Sequence, residues 1–155
     1  PMPFGTIIAS TARRGALPRR APSPTLLRYL CDGGSRPNPG SMQPLVYNGV
    51  GFLPLDTTEG TNHKAVYEAV FAALEHASRA AATDVHIHLL SELVWKQLSG
   101  NAGAIRLVDH RDRALASAER FDEVIWHLVN PPFDLPSGVA LTAKSLRRAA
   151  ARQLT

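Results

Sequence analysis

The spacing of apolar and polar positions changes period several times along this chain, and each change marks an element. Residues 26–31 are mostly apolar and predict a first strand. Residues 45–53 predict a second, in which Gly49 and Gly51 mark a bulge or a close approach, and a short third is expected over 52–56. Thr61-Asn62 then offers a helix cap, and Ala65, Val66, Ala69, Val70, Ala73, Leu74 and Ala77 recur at helical spacing, giving a helix over about 63–80 that ends at Thr83-Asp84. Val85-His86-Ile87-His88-Leu89 alternates as a strand does. Ser91 caps a short helix through Leu98, closed by Gly100, and a further helix is expected over 105–120, from Ile105 to Arg120, with Leu107, Val108, Ala114, Leu115 and Ala118 inward. Residues 121–129 supply another strand, which Asn130-Pro131-Pro132 breaks. Ser137 is positioned to cap a last helix whose stripe is Val139, Ala143, Leu146 and Ala150. The order predicts an α/β fold, a mixed five-stranded sheet flanked by helices.

Composition adds a division of labour. The chain has 155 residues, 45% of them hydrophobic and 19% charged, which suits one domain with a real core plus extensions. Its single cysteine, Cys31, excludes an internal disulfide and fits a reducing compartment. No apolar run approaches the roughly 20 residues that a spanning helix needs. The net charge of +4 is unevenly placed: +5 over residues 1–28, −4 over 29–130 and +3 over 131–155. Three segments follow: an extended, basic, Pro-rich arm over 1–25, a folded domain over 26–130, and a linker with a basic C-terminal helix over 131–155. The first segment is rich in Arg, Ser, Ala and Pro and lacks acids, a composition like that of a mitochondrial targeting region.

One motif narrows the reading. Cys31-Asp32-Gly33-Gly34-Ser35-Arg36-Pro37-Asn38-Pro39-Gly40 resembles the first-strand motif of bacterial and archaeal ribonuclease H, in which the Asp ends an apolar strand, binds catalytic metal and is followed by a Gly/Asn/Pro-rich turn. Thr61-Asn62-His63-Lys64-Ala65-Val66 resembles the segment that opens that family's first helix, and Leu89-Leu90-Ser91-Glu92 the segment where Asp-Ser ends its fourth strand. The resemblance covers about residues 27–130 and implies the ribonuclease H-like fold. It also implies a metal site at the positions of Asp32, Val66, Leu90 and Asp134. Two of these cannot ligate, because Val66 stands where the family has Glu and Leu90 where it has Asp.

Hydrolysis of a phosphodiester by two Mg²⁺ ions, about 4 Å apart, requires oxygen ligands in near-octahedral geometry. Glu68 lies about 200° round the helix from Val66 and does not replace it. The resemblance therefore leads to an expectation of no catalytic residue, no bound metal and no cofactor, with Asp32 accepting hydrogen bonds from the backbone that follows it.

Other candidates carry less. His86 and His88 share a strand face as half of a zinc site, with Cys31, His63, His76, His110 and His127 left to complete it at no recognisable spacing. No nucleophile-elbow pattern surrounds Ser91. Asp109-His110-Arg111-Asp112-Arg113 reads as a solvated face with i,i+3 and i,i+4 pairs. Trp126 reads as core, and Trp95 as a half-exposed interface residue. Lys144, Arg147, Arg148 and Arg152 give the last helix a basic face suited to RNA, an anionic surface or an acidic protein.

The resulting expectation is a non-enzymatic ribonuclease H-like subunit of a larger, mitochondrial assembly, with protein partners held by the arm and the C-terminal helix and with RNA contact through the basic ends. Two alternatives remain beside it: a divergent ribonuclease acting on RNA–DNA hybrids, and a nucleic-acid binder without catalysis.

Overall fold

Strand pairing departs from the apolar runs that predict it. The first strand runs on to Arg36, and the second spans Gly40–Tyr47 in place of 45–53, because its partner lies across a turn at 37–39, so Gly49 and Gly51 fall outside it. The computed structural model describes residues 6–9, 24–100, 103, 106–130 and 133–154, the first four by backbone alone. Its strands are β1 (Thr6–Ala9), β2 (Leu26–Arg36), β3 (Gly40–Tyr47), β4 (Glu59–Gly60), β5 (Asp84–Leu89) and β6 (Glu123–Leu128). The helices are α1 (Asn62–Arg79), α2 (Glu92–Leu98), α3 (Val108–Ala118) and α4 (Ala143–Leu154). The sheet order is β1-β6-β5-β2-β3-β4. β5 runs parallel to β2 and β6, and the remaining pairs are antiparallel. Five strands, β2 to β6, form the expected mixed sheet, and β1 adds a sixth at the β6 edge.

Several boundaries move for physical reasons. β2 continues through Asp32, Gly33, Gly34 and Ser35 to Arg36, because residues 30–36 pair antiparallel with residues 41–47, so the glycines are ladder residues and the turn comes later. The short strand expected over 52–56 is replaced by Glu59–Gly60, and Phe52 makes only an isolated bridge to Tyr47. The last helix starts at Ala143, well after Ser137, because Pro136-Ser137-Gly138 forms a turn with Gly138 at φ +80°. Thr142 takes the capping role, its Oγ1 accepting from the Ser145 N–H. The Ile105 start expected for α3 lies outside the described residues, as do Pro131 and Pro132 and most of the N-terminal arm. That arm is not wholly extended from the domain, since Thr6–Ala9 pairs with residues 124–127.

Two apolar layers form on opposite faces of the sheet. Alternation along β2 sends Tyr29 and Cys31 toward α1, where they join Val66, Ala69, Val70, Ala73, Leu74 and Ala77. Trp95 and Trp126 are buried in this layer, and the Trp95 indole N–H donates to the Trp126 carbonyl at 3.2 Å. Trp95 is therefore core, contrary to the interface role expected of it: its ring fills the space between α2 and β6. Leu30, Leu45, Tyr47 and Phe52 form the second layer, closed by Leu146 and Ala149 of α4. Gln153 of the same helix accepts from the Phe52 N–H and donates to its carbonyl. α4 is built into the domain and does not stand off from it.

The charged run on α3 also resolves differently. Arg111 pairs with its neighbour Asp112, and Arg113 lies 4.0 Å over the Phe71 ring. Ring contact, more than i,i+3 pairing, places these side chains.

α1 approaches β2 very closely. A Cβ added to Gly33 would lie 2.6 Å from the Ala65 carbonyl carbon, whereas one on Gly34 would meet only side chains, the far end of Arg147 at 3.3 Å and the Asn62 Oδ1 at 3.6 Å. Gly33→Ala is expected to destabilise the protein by about 1–3 kcal/mol through overpacking against backbone, and Gly34→Ala by much less. Chemical denaturation of the two variants tests this, and equal losses would contradict the close-approach account.

Candidate functional site

A cleft of about 410 Å³ opens where the N-terminal ends of α1 and α2 and the first turns of α4 face the C-terminal half of β2. Asp32, Gly33, Gly34, Ser35 and Arg36 form its floor, α1 contributes Asn62, His63 and Val66, and Gln43, Ser91, Ala143 and Arg147 complete it. Each wall has a local cause. The Thr61 Oγ1 caps α1 by accepting from the Lys64 N–H at 3.3 Å, which leaves the Asn62 side chain free to cross to β2. There Asn62 Oδ1 accepts from the Ser35 N–H at 2.7 Å and from the Ser35 hydroxyl at 3.3 Å. Ser91 caps α2 by accepting from the Val94 N–H.

Asp32 is 6% exposed, and its Oδ2 has no hydrogen-bond partner among the described residues. Burial pushes its carboxyl up to about 6, against the opposing pull of the Gly33 N–H and of the nearby Arg147 guanidinium. At neutral pH it is therefore mainly a carboxylate held at an energetic cost, with a lone pair turned to the cleft.

The four positions implied by the family resemblance do not all meet here. Asp32 and Val66 share the cleft. Leu90 does not line it: its side chain packs against the second apolar layer beside Phe133, Leu135 and Val139. Asp134 is exposed and outside the lining, in the irregular segment between β6 and α4. Among the described residues, no group of three or more His, Cys, Asp or Glu ligands gathers at Asp32. One carboxylate facing a valine does not fit a pair of magnesium ions, so no chemical step is derived through such a pair.

Sequence reasoning missed two residues of the cleft. Composition puts Arg147 on a basic helix face, and Asn62 enters only as part of a cap and of the segment that resembles the family's first-helix opening, with no role in the cleft. The roles of both depend on which segment lies opposite, which is a long-range fact. Arg147 and Arg36 bring two guanidinium groups to the cleft, although residues 29–130 sum to −4. The adjoining groove adds Lys64 and Arg106.

A second gathering lies on the sheet face shared with α4. His86 and His88 of β5 come together with His127 of β6, the last of which no sequence spacing had linked to them. Burial lowers all three imidazoles from the ordinary histidine range, His88 to about 4 and His127 to about 3, with Arg28 adding a smaller push in the same direction.

No family model matches the sequence, and no curated protein does. Solved structures do match. The N-terminal RNase H domain of a Mycobacterium tuberculosis protein aligns with a TM-score of 0.65 at 24% identity, over 83% of this chain and 98% of that one. RNase H1 from the halophilic archaeon Halobacterium salinarum aligns with a TM-score of 0.60 at 29% identity, over 83% and 97%. LC11-RNase H1, solved in complex with RNA/DNA hybrid, aligns with a TM-score of 0.58 at 21% identity, over 83% and 99%. The fold is ribonuclease H-like, as the motifs implied. The expectation of a non-enzyme is contradicted by these neighbours, which are RNase H domains and RNase H1 proteins, among them the 29% identical RNase H1 of Halobacterium salinarum. That expectation weighed two lost carboxylates as decisive, and one of the two positions, Leu90, does not line the cleft.

The raised Asp32 carboxyl makes stability depend on pH with a definite sign. Folded Asp32 holds its proton up to about pH 6 and the unfolded chain only to about 3.8, so the native state binds more protons between these values. Stability then falls as pH rises through that window and levels above it. Asp32→Asn is expected to remove the slope and to be more stable than the wild type at pH 7, by up to about 3 kcal/mol. Denaturation curves across pH 4–7 test this. Parallel wild-type and variant profiles would show that Asp32 is not so buried.

Proposed function

We propose that this protein engages RNA–DNA hybrids along the Asp32 cleft, as a ribonuclease H-type domain. The observation that carries the reading is the cleft's composition. A glycine-floored strand lies open beside one buried carboxylate, with Arg36, His63, Asn62 and Arg147 around it. Glycines at the floor let a sugar–phosphate backbone come close, and the guanidinium groups match phosphate oxygens in charge and shape. The adjacent groove, with Lys64 and Arg106, provides a continuation of the same sign for a second strand. The complex of LC11-RNase H1 with an RNA/DNA hybrid supports a hybrid as the ligand class.

Binding of labelled hybrid should weaken steeply with salt, as phosphate contacts dictate. Arg147→Ala is expected to cost about 1.5–3 kcal/mol of affinity and to lower the salt slope by about 1. Hybrid affinity that ignores both salt and Arg147 would sink the reading. The same mixtures, incubated with Mg²⁺ or Mn²⁺, report chemistry: cleavage of the RNA strand that disappears in Asp32→Asn assigns hydrolysis to this cleft.

A second reading concerns the chain's setting. Lys144 and Arg148 are exposed on α4, on the side away from Leu146 and Ala149, and residues 1–25 have a presequence-like composition. These favour a domain held in a larger mitochondrial assembly through its basic ends. Native-size fractionation of organelle extracts should then find it with companions, and migration as a free monomer would count against this setting.

A further inference from the structure

Three imidazoles meet on the sheet face that carries Leu30 and α4, and the cleft reading makes no use of them. Alternation along β5 puts His86 and His88 on one side, and the parallel register with β6 sets His127 opposite His88. The His127 Nε2 lies 3.0 Å from the His86 Nδ1, and the His88 and His127 rings lie 4.2 Å apart. One ring nitrogen from each residue falls within 4.8 Å of the other two.

The most telling atom is the His88 Nε2. It is buried and has no hydrogen-bond partner among the described residues, whereas its Nδ1 lies 2.9 Å from the Val129 carbonyl. A carbonyl accepts only, so the Nδ1 must carry the proton and the Nε2 the lone pair. That is the arrangement in which a metal-ligating histidine is held, its second nitrogen donating to a backbone carbonyl that fixes tautomer and direction.

We propose that His86, His88 and His127 form a binding site for a zinc-class divalent ion, with its fourth position open to water. Three neutral imidazoles are the donor set that suits Zn²⁺ and its neighbours among the later first-row metals. Tetrahedral bonds of about 2.0–2.1 Å place ligand nitrogens about 3.3–3.4 Å apart, so the wider separations close by about 1.5 Å at most, and the His86–His127 pair, now 3.0 Å apart and hydrogen-bonded, opens slightly as the ion replaces that bond. Binding requires two local changes. The His88 and His127 planes are within 6° of parallel, so one ring turns about its side-chain torsions to aim its lone pair. The Arg28 guanidinium, 3.3 Å from the His86 Nδ1, swings away toward solvent. The backbone register that gathers the rings does not change.

The site is independent of the hybrid reading, and its test is direct. The full chain, stripped with chelator, is titrated with Zn²⁺ by calorimetry and with Co²⁺ by visible absorption. One ion per chain is expected, with the intense bands of a tetrahedral cobalt site and a Tm that rises with Zn²⁺. His86→Ala removes a half-buried ring and is expected to keep the fold while weakening affinity at least about tenfold. His127→Gln should do the same if it folds, and where it does not, His86→Ala decides alone. No saturable binding at micromolar metal, or binding that His86→Ala leaves unchanged, would overturn the proposal and reduce the cluster to a packed ring stack.

Discussion

The structure depends on how closely α1 lies against β2. Helix backbone and strand backbone come near enough at Ala65 and Gly33 that no side chain fits between them. Only a glycine on the strand and a row of small residues on the helix permit this, and Ala65, Ala69, Ala73 and Ala77 are all fully buried there. The close approach puts the N-terminus of α1 over the middle of the sheet and so brings Asn62, His63 and Val66 to the same cleft as Asp32. A larger residue at position 33 would lift the helix and separate those groups. Packing at one contact thus decides where the polar chemistry can happen.

Electrostatics then act on what the packing has placed. Asp32 is deep enough for desolvation to be the largest influence on its carboxyl, and Arg147 reduces the penalty without closing the cleft. Arg147 can do so because α4 is anchored from its other side. Leu146 and Ala149 sit in the second apolar layer, and Gln153 fastens the helix to the Phe52 backbone. Burial of the Leu146 side chain alone is worth about 1.5–3 kcal/mol. The helix that sequence composition marks as a basic appendage is therefore one wall of the domain, and its charge is spent partly on the cleft.

Features confined to one segment were legible in the sequence. The apolar run of residues 26–31, the alternation along 85–89, the alanine stripe of α1, the Thr61 and Ser91 caps and the order of strands all follow from local period and side-chain chemistry, and they suffice for the fold. Features that join distant segments were not. The pairing of residues 30–36 with 41–47 turned an expected glycine turn into ladder, because hydrogen-bond partners on β3 were present to continue it. The bonds between Phe52 and Gln153 span 101 positions, and nothing in either neighbourhood announces them. Leu90 was placed at the cleft by motif alignment, yet it turns to the second apolar layer, where burial is more favourable than a polar cleft for a side chain of that kind.

The sheet face under α4 is divided, and the division follows from what covers it. Over β2 and β3 the covering is a helix, and the residues beneath are Leu30, Leu45 and Tyr47. Over β5 and β6 that face carries His86, His88 and His127, with Ile125 opposite His86; the His88 and His127 rings stack, His86 is tilted against His127, and ring nitrogens stay within reach of one another. Imidazole serves such a border well, since its faces pack like an apolar ring while its edges can satisfy polar neighbours. β2 runs between the two regions, with Arg28 opposite His86 and Leu30 opposite His88, and with Asp32 two residues further on the same face. A single rigid strand therefore carries the carboxylate of the cleft and sets the frame for the histidine cluster. The hydrogen-bonded ladder, with no contribution from loop geometry, fixes the spacing of both.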